Sequence, residues 1–426
     1  MVGEKASADC GKPRVSGRQF FLVCLVAVGL RTAWALLIDV VPTSDSVAYD
    51  QFARNLVDYG VYGWTKEQPF TFWPPGTSFL YAAVFRLFGY GYSKIVVLNI
   101  LLSCAIIVVT GRVAARLYSK EVALFAMLVL AAWPTLIMFT TLLASELPYL
   151  FLTMAAIDAW TIHNRSPALR GTTAGILLGA ASLVRPLALM LPFVYGAAVL
   201  FERGHSRQRW CTQLTIIAAC ITAMAVLISP WTWRNYQLYG DPVLISTNGG
   251  ATLWMGNSPG ARGDYAEIPE RLDGLNDNEM SKVLGAEAKQ FILSDPLGFV
   301  VRTIRKIGML YSNESIGVNW NAKGIQNAFG SSGLIVLKRF TQITWAIIFL
   351  LSITGGLILF RKQRWRAFCS PIVFSIFFYT VVHGVIVSQD RYHVVFAAQL
   401  TILAGVSLAA LFERRAINSE YITRVS

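Results

Sequence analysis

The sequence predicts an all-α, polytopic membrane protein with about ten membrane-spanning helices, outer-face loops and interfacial helices. Of its 426 residues, 55% are hydrophobic and only 14% are charged, whereas a soluble domain carries about 25% charged residues. Apolar runs of roughly twenty residues recur along the chain, and a run of that length crosses the hydrocarbon of a bilayer as a helix. Basic clusters between the runs set their orientation.

The first apolar run extends from Phe20 to Val41. It has no small-residue cleavage site at its end, so we interpret it as a retained span rather than a signal peptide. Arg31 and Asp39 interrupt this run near one helical face, which predicts that both point into the bundle; for Asp39 an interfacial position is the alternative. The N-terminus is held in the cytoplasm by Lys5, Lys12, Arg14 and Arg18.

The remaining spans alternate in direction, so that most basic clusters and both termini lie on the cytoplasmic side. Gly76 to Phe88 is expected to be a short helix at the outer interface, because it is short for about 30 Å of hydrocarbon; a full span is the alternative. After the first span, we predict crossings at 95–113, 121–140, 147–162, 171–184, 187–201, 212–228, 340–360, 368–387 and 393–412.

The chain divides into three parts. Residues 1–229 form an N-terminal transmembrane module with a first outer loop at 42–94, and residues 339–426 form C-terminal transmembrane helices with a short cytoplasmic tail. Residues 230–338 form an outer-face region with two amphipathic helices, Met280 to Leu293 and Pro296 to Leu310. These helices are expected either to lie on the membrane surface or to pack as a lid over the spans.

Several classes of function are excluded by composition. The net charge of +13 is explained by the positive-inside rule, and no basic stretch interleaved with aromatic residues indicates nucleic acid. The six cysteines form no CxxC pair and the four histidines no HExxH pattern, so no metal site is indicated. No GxxxxGK[ST] motif occurs, which leaves an ATP-driven pump unsupported.

Asp45 lies in an acidic loop, 44–50, which emerges on the outer face directly after the first span. A carboxylate at a membrane surface in a basic, apolar chain suggests catalysis. The alternative is structural: Ser44 or Asp45 would cap the amphipathic helix that begins with Tyr49 and ends at Gly60, a residue suited to a helix C-cap.

Glu146 lies amid a long apolar stretch and reaches the same face as Asp45. An ionisable group at membrane depth is a candidate functional residue. The alternative is a helix start, with Ser145 as the N-cap and Glu146 in the first turn.

Three arginines, Arg185, Arg234 and Arg391, lie on or near the outer face, against the positive-inside trend. The guanidinium fork suits phosphate, whereas snorkelling to lipid headgroups is the alternative. Trp73 precedes a rigid Pro-Pro turn, and Asn257 lies in a turn-rich stretch that would suit sugar hydroxyls or form a plain surface loop.

The ordered series of motifs resembles the GT-C superfamily of integral-membrane glycosyltransferases, in particular the family 39 and 83 enzymes, which include protein O-mannosyltransferases and aminoarabinose lipid A transferases. The motifs are Asp45-Ser46-Val47-Ala48-Tyr49, Phe72-Trp73-Pro74-Pro75-Gly76, Leu87-Phe88-Gly89, Asn99-Ile100-Leu101-Leu102, Trp133-Pro134, Ser145-Glu146, Leu183-Val184-Arg185-Pro186, Pro230-Trp231-Thr232-Trp233-Arg234-Asn235, Gly256-Asn257-Ser258-Pro259 and Arg391-Tyr392.

This resemblance implies a GT-C-like bundle that transfers a sugar from a polyprenyl-phosphate donor to a glycan, lipid or protein acceptor. Asp45 would be the general base, and Glu146 would orient the acceptor or support Asp45. The donor phosphate would be bound by Arg391, Arg234, Arg185 and Tyr392, and the substrates by Tyr49, Asn257 and Trp73. Two carboxylates would also suit a divalent metal, although no sequence feature requires a cofactor.

The motifs depart from both subfamilies. The resemblance to the protein mannosyltransferases implies an acidic pair in the first loop, but here Asp45 is followed by Ser46. The resemblance to the lipid A enzymes implies Glu-Lys before the matching proline, but here Phe72-Trp73 stands at that place. Two alternatives to a transferase therefore stay open: a flippase or transporter for a lipid-linked glycan, and a non-catalytic binding subunit. We expect a multi-pass protein of the bacterial inner membrane, in contact with its lipids, whose site faces the periplasm.

Overall fold

The architecture comes from a computed structural model, which describes residues 17–200, 207–364, 367 and 369–425. Helices dominate the described chain, as predicted. Two short strands, β1 (Gly63–Thr65) and β2 (Gln68–Pro69), form an antiparallel hairpin in the first outer loop. The N-terminal basic residues Lys5, Lys12 and Arg14 lie outside the described residues.

Ten helices form the first part of the chain, with 3₁₀ turns at Phe139–Thr141 and Pro186–Met190. They are α1 (Gly17–Leu37), α2 (Asp45–Tyr59), α3 (Gly76–Phe88), α4 (Tyr92–Leu117), α5 (Lys120–Ala132), α6 (Pro134–Met138), α7 (Glu146–Thr161), α8 (Pro167–Val184), α9 (Leu191–Leu200) and α10 (Arg207–Tyr239). Gly60 ends α2 with a left-handed φ of 70°, as the C-cap interpretation predicts.

Seven further helices follow, with 3₁₀ turns at Glu270–Leu272 and Asp390–Phe396. They are α11 (Asn248–Asn257), α12 (Asp277–Ser294), α13 (Pro296–Ser312), α14 (Ile316–Trp320), α15 (Ala322–Gln363), α16 (Pro371–Val385) and α17 (Ala397–Val425). The two amphipathic helices expected in the outer region are α12 and α13. Leu297, Val301 and Ile304 are exposed along α13, whereas Lys306 and Leu310 are buried, an arrangement suited to a membrane surface.

The chain is a multi-pass membrane protein. In the described part, six helical segments are long and apolar enough to span a bilayer: Gly17–Leu37, Tyr92–Leu117, Pro167–Val184, Trp210–Tyr239, Ala322–Gln363 and Asp390–Glu413. The bent pair Lys120–Ala132 and Pro134–Thr141 adds a seventh.

The count of about ten is reached only with three shorter helices. The spans predicted at 147–162, 187–201 and 368–387 form α7, Pro186–Ala198 and α16, while residues 201 and 368 lie outside the described chain. With 16 residues in α7 and 15 in α16, each is about 24 Å long or less, short of about 30 Å of hydrocarbon.

Both expected boundaries between parts of the chain fall inside helices. Helix α10 continues through Pro230 to Tyr239. Pro230 has no N–H to bond the Val226 carbonyl, which instead accepts a hydrogen bond from the Ser229 hydroxyl at 2.9 Å. Helix α15 contains the boundary at 338, and its backbone instead breaks at Gly330, whose φ of 67° suits glycine.

Arg31 binds backbone carbonyl groups at the bend between α5 and α6. The two helices meet at 56° before Pro134, which has no N–H to continue the ladder. Arg31 is 1% exposed and donates to the carbonyl oxygens of Leu130 at 3.1 Å and Ala131 at 3.0 Å. The inward orientation predicted for Arg31 is confirmed, whereas Asp39 is exposed just beyond α1.

Helix α7 is central to the bundle, since thirteen of its sixteen residues are buried. It packs against α4 and α8 and reaches the 3₁₀ turn at Asp390–Phe396. Its N-terminus at Glu146 therefore lies where α2, α8 and that turn converge.

Candidate active site

Asp45 is the first residue of α2, and its carboxylate faces two donors outside that helix. Oδ2 accepts a hydrogen bond from Arg391 Nη1 at 2.8 Å, and Oδ1 accepts one from Trp73 Nε1 at 3.3 Å. Ser44 makes no side-chain cap bond, and its φ of 53° is strained for a residue with a Cβ. The interpretation of Ser44 as a side-chain cap is therefore wrong.

Glu146 begins α7, and it is buried among cations. Its Oε1 accepts hydrogen bonds from the Arg185 guanidinium and from Arg391 Nε, the latter at 3.2 Å. The neighbouring Ser145 accepts a bond from Arg185 Nε at 3.0 Å, and its side chain makes no cap bond. Oε2 of Glu146 is buried and has no hydrogen-bond partner, so one acceptor is left for a bound molecule or a water.

Arg391 joins the two carboxylates. It lies in the turn Asp390–Phe396 and is 8% exposed. Its guanidinium carbon lies 4.6 Å from the ring centre of Trp320 and 5.5 Å from that of Tyr392, which favours cation–π attraction. Asp45 and Glu146 are thus held on one planar fork, the geometry that also suits phosphate.

The cluster of Asp45, Glu146, Arg185 and Arg391 carries two negative and two positive charges. Charges are tolerated in a buried place only when they are paired, and here each carboxylate has a guanidinium. The side chain of Asp45 is 24% exposed, against 1% for Glu146. Asp45 is therefore the carboxylate that an incoming molecule can reach.

Aromatic rings line both sides of this cluster. Tyr392 stacks on His383, with ring centres 4.3 Å apart, and Arg185 lies 5.9 Å from the Tyr392 ring. Trp73 lies 5.8 Å from Trp64, which is 36% exposed. Such faces exclude water from the charges and offer a flat apolar surface.

Tyr49 is buried on α2 below the cluster, with 4% of its surface exposed. Burial, together with the negative charge of Asp45, raises the pKa of the Tyr49 phenol above its ordinary value. The phenol therefore stays neutral at the pH at which the protein works.

Arg234 and Asn257 make structural contacts. Arg234 donates to the carbonyl oxygens of Phe70 at 3.1 Å and Tyr62 at 3.2 Å. Asn257 donates to the Val385 carbonyl at 2.8 Å. The contacts of the described residues join neither side chain to the Asp45–Arg391 pair, and their binding roles stay predictions.

Trp320, Glu314 and His393 are site residues that the sequence interpretation missed. Glu314 and His393 are both fully buried, and Glu314 Oε1 lies 3.1 Å from His393 Nε2. Their signal in the sequence is weak, because Glu314 stands between Asn and Ser and reads as part of a polar surface loop.

Asp45 and Glu146 are the carboxylates that would suit a divalent metal, and each faces an arginine. Within the described residues, no group of three or more His, Cys, Asp or Glu side chains is placed to hold a metal ion. The chemistry that the arrangement offers through its own side chains is a reachable carboxylate beside two phosphate-binding guanidiniums.

Comparisons with known proteins place this arrangement in context. Residues 73–233 match the family model for dolichyl-phosphate-mannose-protein mannosyltransferase, and no curated protein matches the chain. The apo crystal structure of the Archaeoglobus fulgidus oligosaccharyltransferase is similar with a TM-score of 0.58 at 13% identity, over 96% of this chain and 52% of that one.

Two ligand-bound structures are also similar. AglB from Archaeoglobus fulgidus, in complex with an inhibitory peptide and a dolichol-phosphate, has a TM-score of 0.50 at 13% identity, over 95% of this chain and 51% of that one. ArnT from Cupriavidus metallidurans, bound to undecaprenyl phosphate, has a TM-score of 0.48 at 13% identity, over 93% of this chain and 79% of that one.

The chain thus spans about half the length of the oligosaccharyltransferases that it matches, namely 52% and 51%. At this sequence identity the likeness shows the fold. The expected GT-C resemblance is confirmed, and so is the all-α membrane bundle.

Proposed function

We propose that this chain, which has the GT-C fold, transfers a sugar from a polyprenyl-phosphate-linked donor to an acceptor hydroxyl. The acceptor is a lipid, a polysaccharide or a protein, and the reaction takes place at the outer face of a bacterial inner membrane. The observation that carries this proposal is the fork of Arg391 between Asp45 and Glu146. It combines a carboxylate that substrate can reach with cations that suit a phosphate.

Asp45 acts as the general base. It accepts the proton of the acceptor hydroxyl while the hydroxyl oxygen forms a bond to the anomeric carbon of the donor sugar. The bond from that carbon to the phosphate oxygen breaks, and its electron pair leaves with the polyprenyl phosphate. A carboxylate oxygen has two acceptor sites, so each oxygen of Asp45 can accept a further bond beside Trp73 or Arg391.

Arg391 and Arg185 bind the leaving phosphate. Without substrate, their charges are balanced by Asp45 and Glu146. The donor is a phosphodiester, and its phosphate gains negative charge as the sugar leaves, so the guanidiniums bind the transition state more tightly than the ground state.

The comparisons support the donor class. AglB is described in complex with a dolichol-phosphate, and the matching family model names a dolichyl-phosphate-mannose enzyme. Both molecules are polyprenyl-type phosphates. The outer-face location follows from the positive-inside orientation that places residue 45 after the first span.

The test compares purified wild type with Asp45→Asn in detergent, using a panel of radiolabelled polyprenyl-phosphate sugars. We expect release of free polyprenyl phosphate to fall about 10²–10⁴-fold in Asp45→Asn, because general base catalysis is worth that much. Asp39→Asn is the matched control, since Asp39 is an exposed carboxylate at the start of the same outer loop.

Binding of a donor without release, unchanged in Asp45→Asn, would contradict this proposal and favour a transporter or a binding subunit. Transport by a flippase needs no base, so it would survive in Asp45→Asn reconstituted into vesicles. Equal losses in Asp45→Asn and Asp39→Asn would also count against Asp45 as the base.

A further inference from the structure

Two contacts fasten the short segment 314–315 to the turn that carries Arg391. Asp390 Oδ2 accepts hydrogen bonds from the Ser315 N–H at 2.7 Å and from the Ser315 hydroxyl at 2.9 Å. Glu314 Oε1 lies 3.1 Å from His393 Nε2. Arg391 stands between these two fastenings, so its backbone is fixed on both sides.

Glu314 and His393 share one proton. His393 Nδ1 lies 2.9 Å from the Leu310 carbonyl oxygen, which can only accept, so Nδ1 donates. The contact between Nε2 and the carboxylate then needs one further hydrogen, on either the imidazole or the acid. Both residues are 0% exposed, and the Trp133 indole donates to the same Glu314 oxygen at 2.8 Å, so the pair is locked in one geometry.

The same short segment also holds the guanidinium itself. Trp320 at the end of α14 lies under Arg391, at 4.6 Å from its central carbon. Segment 314–320 therefore contacts the turn at Asp390, Arg391 and His393. A shift of this segment would move the guanidinium relative to Asp45 and Glu146.

Folding does not account for this pair. A buried ionic pair is commonly replaced by apolar residues of similar volume at no cost in stability, or with a gain. A membrane bundle could fill this space with apolar side chains. The pair costs desolvation energy and lies two residues from Arg391, where the proposed reaction needs an accurate position.

We propose that Glu314 and His393 are positioning residues that hold Arg391 in place to receive the donor phosphate. This inference rests on the proposed function. The Glu314–His393 pair does not contact the substrate. The whole effect of the pair on the reaction passes through Arg391.

The experiment is a double-mutant cycle on the purified full chain, with Glu314→Ala and Arg391→Lys. The readouts are the single-turnover rate and the affinity for polyprenyl phosphate. The rate is measured with the donor that the panel of polyprenyl-phosphate sugars identifies. We expect Glu314→Ala to slow the reaction by about 10²-fold, as a displacement of about 1 Å does. In the Arg391→Lys background the same change should have little further effect, because the oriented fork is already gone.

Glu314→Asp supplies the conservative variant. It keeps a carboxylate for His393 and Trp133, which contact the same Glu314 oxygen, on a side chain one methylene shorter, so we expect a rate between those of Glu314→Ala and wild type. Asp158→Asn is the matched control, a buried carboxylate paired with arginines elsewhere on α7. Ser315→Ala removes one bond to Asp390 and provides a milder variant if Glu314→Ala fails to fold.

Losses that multiply in the double variant would overturn the inference and leave a purely structural role. So would a rate in Glu314→Asp that is no higher than in Glu314→Ala. If Arg391→Lys has the wild-type rate and affinity, the proposed function itself fails, which separates the two failures.

Discussion

Helix α7 carries a buried carboxylate at each end, and each carboxylate is paired with two arginines. Glu146 at the N-terminal end contacts Arg185 and Arg391. Asp158, about 18 Å further along the helix, contacts Arg112 at 2.9 Å and Arg116 at 2.8 Å. The two ends therefore use the same chemistry in different surroundings.

The surroundings of the two carboxylates differ in exposure and in net charge, which distinguishes a candidate binding site from a structural anchor. At the Glu146 end the arginine side chains are only 11% and 10% exposed, and a second carboxylate, Asp45, balances the charge. At the other end Arg112 is 56% exposed and Arg116 26% exposed, and one carboxylate serves both. Excess positive charge in contact with water is typical of a cytoplasmic anchor, whereas balanced and nearly dry charges are poised for an anionic ligand.

The largest difference is expected from the two matched carboxylate variants. Glu146→Gln leaves Arg185 and Arg391 short of a counter-charge in a dry place, so we expect a loss of about 3–5 kcal/mol and the loss of activity. Asp158→Asn should cost about 1 kcal/mol, because its arginines keep contact with water. Thermal unfolding in detergent measures the stability of the two variants, and release of free polyprenyl phosphate measures their activity. Equal effects at the two ends would contradict the comparison.

A smaller difference is expected from the arginines. The fork of Arg185 binds Ser145 and Glu146 and lies over Tyr392, which a lysine cannot reproduce. We expect Arg185→Lys to slow the reaction about tenfold through the loss of a charged hydrogen bond. Arg112→Lys keeps its single ion pair and should leave the rate unchanged. An equal slowing in both variants would remove the distinction between site and anchor.

The smallest effect sharpens the comparison with Lys306, a buried cation that forms no ion pair within the described residues. Lys306 is fully buried and donates to the carbonyl oxygens of Gly256 and Val385 and to Asn257. Burial lowers the pKa of Lys306 from 10.5 to about 8. The unfolded chain then binds more protons above about pH 8, so stability rises with pH in that range.

We expect the melting temperature of the wild type, minus that of Lys306→Met, to increase as the pH rises from neutral to about 9. The readout is the difference between the two melting temperatures at each pH. A difference that does not change with pH would show that Lys306 has an ordinary pKa in the folded protein.

The sequence predicted the bundle and nominated the central residues of the candidate site by their charge. Glu146 stands out because ionisable groups are rare at membrane depth. Asp45 stands out as a carboxylate at the surface of a basic, apolar chain, and Arg391 because it runs against the positive-inside trend. In the sequence, 245 residues separate Glu146 from Arg391. The structure brings them together, together with Arg185. Their convergence itself depends on how α2, α7 and the Asp390–Phe396 turn pack, which no local pattern encodes.

The environment of other residues could not be predicted, because it differs from what the neighbouring sequence suggests. Glu314 and Trp320 lie in a polar stretch of the sequence, where an acid or an aromatic residue gives no signal. Glu314 is nevertheless fully buried, where Trp133 and His393 contact its carboxyl group. Arg234 carries the right chemistry for phosphate, yet its donors bind the carbonyls of a loop. Residue 230 was expected to begin the outer-face region, yet helix α10 continues through Pro230, where the Ser229 hydroxyl donates to the Val226 carbonyl.

Arg31 has a consequence for the order in which the protein is made. Its guanidinium enters the membrane with α1, where Ala27 supplies one carbonyl group at 3.3 Å, but its two other carbonyl partners belong to residues 99 and 100 positions later in the chain. At a synthesis rate of about 5–20 residues per second, those two partners arrive about 5–20 s afterwards. An arginine with a single partner is costly in hydrocarbon during that interval. We therefore expect α1 to remain beside the insertion machinery until α5 emerges. The carbonyl groups at the bend before Pro134 then determine when the first helix is released into lipid.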